Sequence, residues 1–234
     1  MRMPTIGIAV FSLTLPLLLL LPAPVSAASS SSKALEEAMS RDGLRKVGVK
    51  GIELAYARPG ATLASYKRVR IDPVEVAFDK SWDPTRSGSN IKVSAAERQR
   101  ILDGVAKLVQ EEFARELQAK SGYAITEESG DDVLRVKIHI VNLYVSAPDT
   151  GSSTGRSRTY VVSAGAMTLV AELSDGKSGE VVARLVDRRE ARSAGRVSLS
   201  DRVYNEGEAR SIAAAWARIL RKGLDNAHGI SAAR

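Results

Sequence analysis

The chain has 234 residues, with 34 basic against 27 acidic side chains, two His, no Cys, 44% hydrophobic residues and 5% aromatics. That balance fits one ordinary globular domain. Without Cys there is no disulfide framework, zinc knuckle, thiol nucleophile or lipid on an N-terminal Cys, and two His leave little for metal or acid–base chemistry.

Residues 1–27 read as a secretory signal peptide. Arg2 is the only charge, an apolar run follows from Ile6 to Leu21, and Val25, Ser26 and Ala27 form a small-residue cleavage triplet. A retained anchor is the alternative, but the run falls short of the ~20 apolar residues of a spanning helix. The mature chain is therefore expected to begin at Ala28, to have no integral span, and to be periplasmic or secreted. Without Arg2 it carries 33 basic against 27 acidic residues, a net +6. The whole-chain pI is ≈ 9.7. For an exported protein such a charge points to anionic envelope surfaces or acidic envelope proteins rather than to a specific nucleic acid.

Residues 28–50 are expected as a flexible leader and arm: Ala28 to Ser32 is a polar low-complexity run, Lys33 to Met39 can form a short helix, and Gly43 and Gly48 break regular patterns. A single α+β domain is expected over 51–228, with 229–234 as a tail. Its first strand is Tyr66 to Phe78, where Pro73 removes a ladder donor and so marks a bulge or an edge. Asp79 to Asn90 is a surface loop. Ser94 and Glu97 form a capping box ahead of a helix whose apolar residues, Ile101 to Leu117, follow three-four spacing up to Ser121 and Gly122. A short strand around Tyr123 to Thr126 follows. Leu134, Val136, Ile138 and Ile140 then alternate with Arg135, Lys137 and His139, which predicts a half-buried strand. Tyr160 to Leu173 and Glu180 to Arg189 predict two more strands joined by an Asp175-Gly176 hairpin turn. The last helix runs from Asn205 through Trp216 to Leu224. The expected architecture is a largely antiparallel sheet of about five strands with two helices on one face, in the order β-α-β-β-β-β-α.

Few patterns here carry chemistry. Gly151 to Ser157 imitates a phosphate-binding loop, but it has three residues between its glycines, an Arg where Lys is needed, and strands on both sides. Lys177, Ser178 and Gly179 imitate one motif of penicillin-recognising enzymes without the accompanying motifs, and read as a turn. His139 and His228 lie far from other ligating residues, and Asp131-Asp132 and Asp79 to Asp83 read as caps and solubilisers. No catalytic residue, cofactor or metal site is expected. The densest local charge holds Arg184, Arg188, Arg189, Arg192, Arg196 and Arg202 against Asp187, Glu190 and Asp201. Arg184 and Arg188 are expected on one strand face and Arg189 on the other. Arg184, Arg188, Arg192, Arg196 and Arg202 are thus the candidate surface for an anionic partner.

Several stretches together resemble a bacterial family catalogued as a domain of unknown function, number thirty-three thirteen: Leu63 to Val76, the capped helix leading to Tyr123, Asp132 to Arg135, and the hairpin from Ala171 to Arg184. The resemblance runs from about Gly51 to Asn226. It implies a small envelope protein, often a lipoprotein, with no assigned activity or catalytic residue. The missing Cys at the cleavage site departs from the lipoprotein pattern. The expectation is a non-enzymatic periplasmic accessory protein that binds an envelope partner through a sheet edge or the arginine surface. The alternative is a small-ligand carrier or hydrolase whose site is assembled from distant residues.

Overall fold

The computed structural model describes residues 27–82, 93–120, 122–145, 160–161, 165–190, 198–199 and 202–230. Three helices, α1 (Ala27–Ser40), α2 (Ala95–Gln118) and α3 (Arg202–Ala227), accompany ten strands. The strands are β1 (Arg45–Val47), β2 (Leu54–Ala57), β3 (Arg68–Ile71), β4 (Glu75–Phe78), β5 (Ala124–Ile125), β6 (Val133–Val145), β7 (Tyr160–Val161), β8 (Gly165–Asp175), β9 (Val181–Glu190) and β10 (Ser198–Leu199). Eight of them form one sheet in the order β1-β2-β9-β8-β6-β3-β5, with β4 also on β6, while β7 and β10 pair separately.

The fold is α+β and mostly antiparallel, as the sequence implies, but β3 and β4 run parallel to β6 and β3 runs parallel to β5. The cause is α2, whose crossover returns the chain to the end from which it left, so the strands that follow align with those before it. The expected strand Tyr66 to Phe78 is split into β3 and β4 along one edge of β6. Pro73 sits in the break, where it has no N–H to give, and Asp72 N still donates to Val136 O at 3.0 Å. A bulge at Asn142, φ 52, re-registers β6 against both neighbours.

On β6 the alternation decides the layering. Leu134, Val136, Ile138 and Ile140 are fully buried against α2 and α3, and the same core takes Leu169, Ala171 and Leu173 from β8. The helix α2 starts at the expected capping box, with the Ser94 hydroxyl accepting from Glu97 N and the Glu97 carboxylate accepting from Ser94 N. Between the helices, Glu112 of α2 is buried and receives Arg210 of α3 at 2.6 Å, as well as Arg115 one turn on.

Residues 28–50 form more structure than leader and arm: α1, a 3-10 turn at Arg41–Gly43 and β1. Met39 and Leu44 pack with Tyr56 and Val186 in a second core on the opposite sheet face. Sequence reasoning placed helices on one face only, because the serine-rich start of α1 has no apolar stripe to announce a helix. No helix among the described residues is long and apolar enough to cross a membrane. The signal segment, the Gly151 to Ser157 loop and the end of the chain lie outside the described residues.

Candidate functional site

Where α3 crosses the β2–β9 side of the sheet, the opposing side chains are small. Ala55 and Ala57 of β2 and Ala183 of β9 face Trp216, Ile219 and Gly223 of α3, with Leu63 and Leu185 completing the walls. The α2 contribution is limited to Phe113. Short side chains under a helix leave a void: a cavity of about 200 Å3 whose lining is almost entirely apolar. Its outer wall is the segment from Val47 to Leu63, of which Val49, Ile52 and Leu63 remain partly exposed. Enclosed apolar cavities of this order accept small apolar molecules, and this one also opens to solvent along that wall.

Next to the cavity, joined to it through Trp216, lies a polar knot. Asp187 is buried on the helix side of β9 and accepts from Trp216 Nε1 at 2.6 Å, Arg189 Nε at 2.8 Å and Glu53 N at 3.0 Å. Arg189 continues to Gly51 O at 2.8 Å, and its guanidinium lies 5.6 Å from the Trp216 ring centroid. Gly51 has φ +86, and a Cβ there would stand 3.2 Å from Ile219 Cδ1, so glycine suits both the turn and the close approach of α3.

The arginines singled out from the sequence divide between roles. The strand register sets Arg184 beside Glu172 and Arg188 beside Thr168 on one face, and Arg189 beside core residue Met167 on the other, as the alternation predicts. Arg184 binds Glu172 at 3.0 Å and Asp42 at 2.6 Å and donates to the carbonyls of Arg41 and Ala38, so it fastens the C-terminal end of α1 to the sheet. Arg188 pairs with Glu190 at 3.1 Å, and its side chain is 45% exposed. Arg202 opens α3. Arg192 and Arg196 lie outside the described residues.

The other titratable groups form fastenings between elements. Burial pushes the Glu112 carboxyl up, but hydrogen bonds and charge from Arg115 and Arg210 outweigh it and hold it below the usual range. Burial and the Asp175 carboxylate push the Tyr66 hydroxyl up to about 12, and burial with Asp225 does the same for Tyr123. His139 Nδ1 stands 3.1 Å from Glu75, and His228 Nε2 donates to Tyr66 O at 2.9 Å. Among the described residues, no group of three or more His, Asp or Glu is placed to hold a metal ion. The cavity and its Asp187 knot are what sequence reasoning missed. Their members come from six separate segments and share no motif.

A mixed sheet with α2 and α3 on one face and α1 on the other, with a partly open apolar cavity beside α3, defines the class: an α+β sheet-and-helix protein. The chain belongs to the family described as protein of unknown function (DUF3313), whose model matches residues 31–220. No curated protein matches the chain. Among solved structures, the PelC dodecamer from Paraburkholderia phytofirmans is similar at 14% identity over 76% of this chain and 98% of that one, with a TM-score of 0.36. Protein XCC0632 from Xanthomonas campestris is similar at 11% identity over 72% and 89%, TM-score 0.39. A candidate lipoprotein from Caulobacter crescentus is similar at 14% identity over 73% and 96%, TM-score 0.31. Nothing about binding or assembly passes from them to this chain.

Proposed function

We propose that this chain is an exported envelope protein that binds rather than transforms, acting in the periplasm as an accessory module. The apolar cavity between α3 and the β2–β9 side of the sheet is its ligand site. That cavity is the single observation that carries the reading. Packing of protein interiors leaves few voids larger than a water molecule, so a void of this size with a partly exposed wall favours an occupant. The test is to titrate the 15N-labelled mature chain with toluene. Saturable amide shifts confined to the segments around Ala55, Ala183 and Trp216 are expected; shifts scattered over the surface, or none, overturn the reading. Detection of the chain in the periplasmic fraction, shortened at its N-terminus, tests export in the same cells.

A second reading rests on Arg188, whose half-exposed head sits on the sheet face opposite α2 and α3. There it steers an anionic envelope partner, for which the sequence also offers Arg192. Reversing both residues to Glu is expected to abolish salt-sensitive crosslinking to that partner in periplasm, and unchanged crosslinking would remove this mode.

A further inference from the structure

The cavity has an apolar lining, and the Arg189 guanidinium stands beside one of its walls, Trp216; that pairing restricts the chemistry of an occupant. Its volume of about 200 Å3 lies below the roughly 300–1,000 Å3 of sites for drug-sized ligands. A two-chain lipid therefore does not fit, whereas one short acyl chain does. Of the polar side-chain groups in the lining, the Trp216 N–H is already given to Asp187 and the Tyr56 ring packs in the second core, so a polar head is better placed at the opening.

Arg189 does not itself line the cavity but stands against its Trp216 wall. It is held in place from three sides: Nε on Asp187, Nη2 on the Gly51 carbonyl, and the guanidinium over Trp216, itself a wall of the cavity. Its Nη1 makes no hydrogen bond among the described residues. Its side chain is 25% exposed, so a ligand head can approach it. The Asp187 carboxylate is buried and already accepts three hydrogen bonds.

We propose that the cavity takes a free single-chain carboxylate, its alkyl chain between α3 and the β2–β9 strands and its carboxylate on Arg189. This rests on the cavity being a ligand site at all. A carboxylate receives a charge-assisted hydrogen bond there, an alcohol gains less, and an ammonium meets like charge.

The test compares three ligands of equal chain length, octanoate, octan-1-ol and octylammonium, by calorimetric titration into the mature chain, together with phosphatidylglycerol vesicles. Octanoate is expected to bind at least about tenfold more tightly than octan-1-ol, corresponding to about 1.4 kcal/mol, with octylammonium weakest. The vesicles should release no heat of binding. In Arg189→Gln the octanoate preference disappears while octan-1-ol still binds. The ligand series on the unaltered chain decides the matter even if that variant folds poorly. Equal affinity for all three overturns recognition of the head but leaves the cavity reading standing. Binding of vesicles with no response to octanoate shows the source to be membrane lipid and overturns the proposal. Failure of octan-1-ol and toluene to bind brings down the cavity reading itself.

Discussion

Replacing Trp216 with alanine is expected to cost about 3–5 kcal/mol of unfolding free energy, the usual range for removing a large buried aromatic. Trp216 is 2% exposed and lies in the main core with Leu169, Phe113 and Ala213, so the chain cannot easily collapse into the space it leaves. The loss has a polar part too. Its indole N–H is one of three donors to the buried Asp187 carboxylate, and deleting it leaves that charge less satisfied. Small domains have roughly 5–15 kcal/mol of stability in all, so the variant should lie near the edge of folding at ambient temperature. Urea unfolding followed by far-ultraviolet dichroism measures it. Trp216→Phe keeps most of the volume and loses only the hydrogen bond, so it is expected to cost about 1–3 kcal/mol. If the two variants lose the same amount, the volume argument is wrong.

Glu112→Gln is expected to cost about 2–3 kcal/mol at neutral pH, less than the roughly 3–5 kcal/mol typical of breaking a fully buried pair. The discount arises because Arg115 and Arg210 keep 62% and 43% of their side chains exposed and can turn to water. Without the carboxylate, the two guanidiniums face each other across the α2–α3 seam with no charge between them. The pH dependence identifies the cause. The folded-state pKa of Glu112 is depressed, so its contribution is fully present above the unfolded-chain value near 4.5 and is lost as pH falls through the lower folded value. The gap between wild type and Glu112→Gln in urea midpoint should therefore shrink on acidification below about pH 4.5. A gap that stays constant from neutral pH into acid would assign the loss to packing instead.

The parts of the fold that the sequence revealed are those written in local periodicity. The capping box at Ser94 and Glu97 stands where the spacing places it, and Leu134 to Ile140 are buried on alternate positions. The Asp175-Gly176 turn joins β8 and β9, with Asp175 Oδ1 accepting from Lys177 N and Ser178 N. Periodicity fixes which face of an element is apolar, but not which element covers it. Hence the sequence allows a short helix at Lys33 to Met39 but does not place it: its hold on the sheet comes from Met39 and from Arg184 far along the chain, neither visible as a repeat. The parallel pairing of β3 and β4 with β6 follows from the strand–helix–strand order, which was legible, although the antiparallel hairpin signals dominated the reading.

The candidate site was illegible for a different reason. A cavity is produced by what side chains fail to fill, and Ala55, Ala183 and Gly223 look ordinary in their own segments. Asp187 appeared as one acid among arginines, and only the fold brings it to Trp216 and Glu53 N. Arg184 was read as surface charge because alternation gives a side chain's face, and α1 then covered that face.

The cavity reading is tested most directly at Gly223, which sits about one turn before the C-terminal end of α3, on the cavity wall. A Cβ built there meets only Leu63 Cδ1, at 3.8 Å. Gly223→Leu fills the void and removes a helix-interior glycine, worth about 0.8–1.0 kcal/mol by propensity alone. Calorimetric titration of toluene into both chains, with thermal unfolding alongside, is the measurement. The account predicts that the variant melts higher and no longer binds toluene, while wild type binds one equivalent. Equal binding by the two chains, or a variant that melts lower, would contradict it.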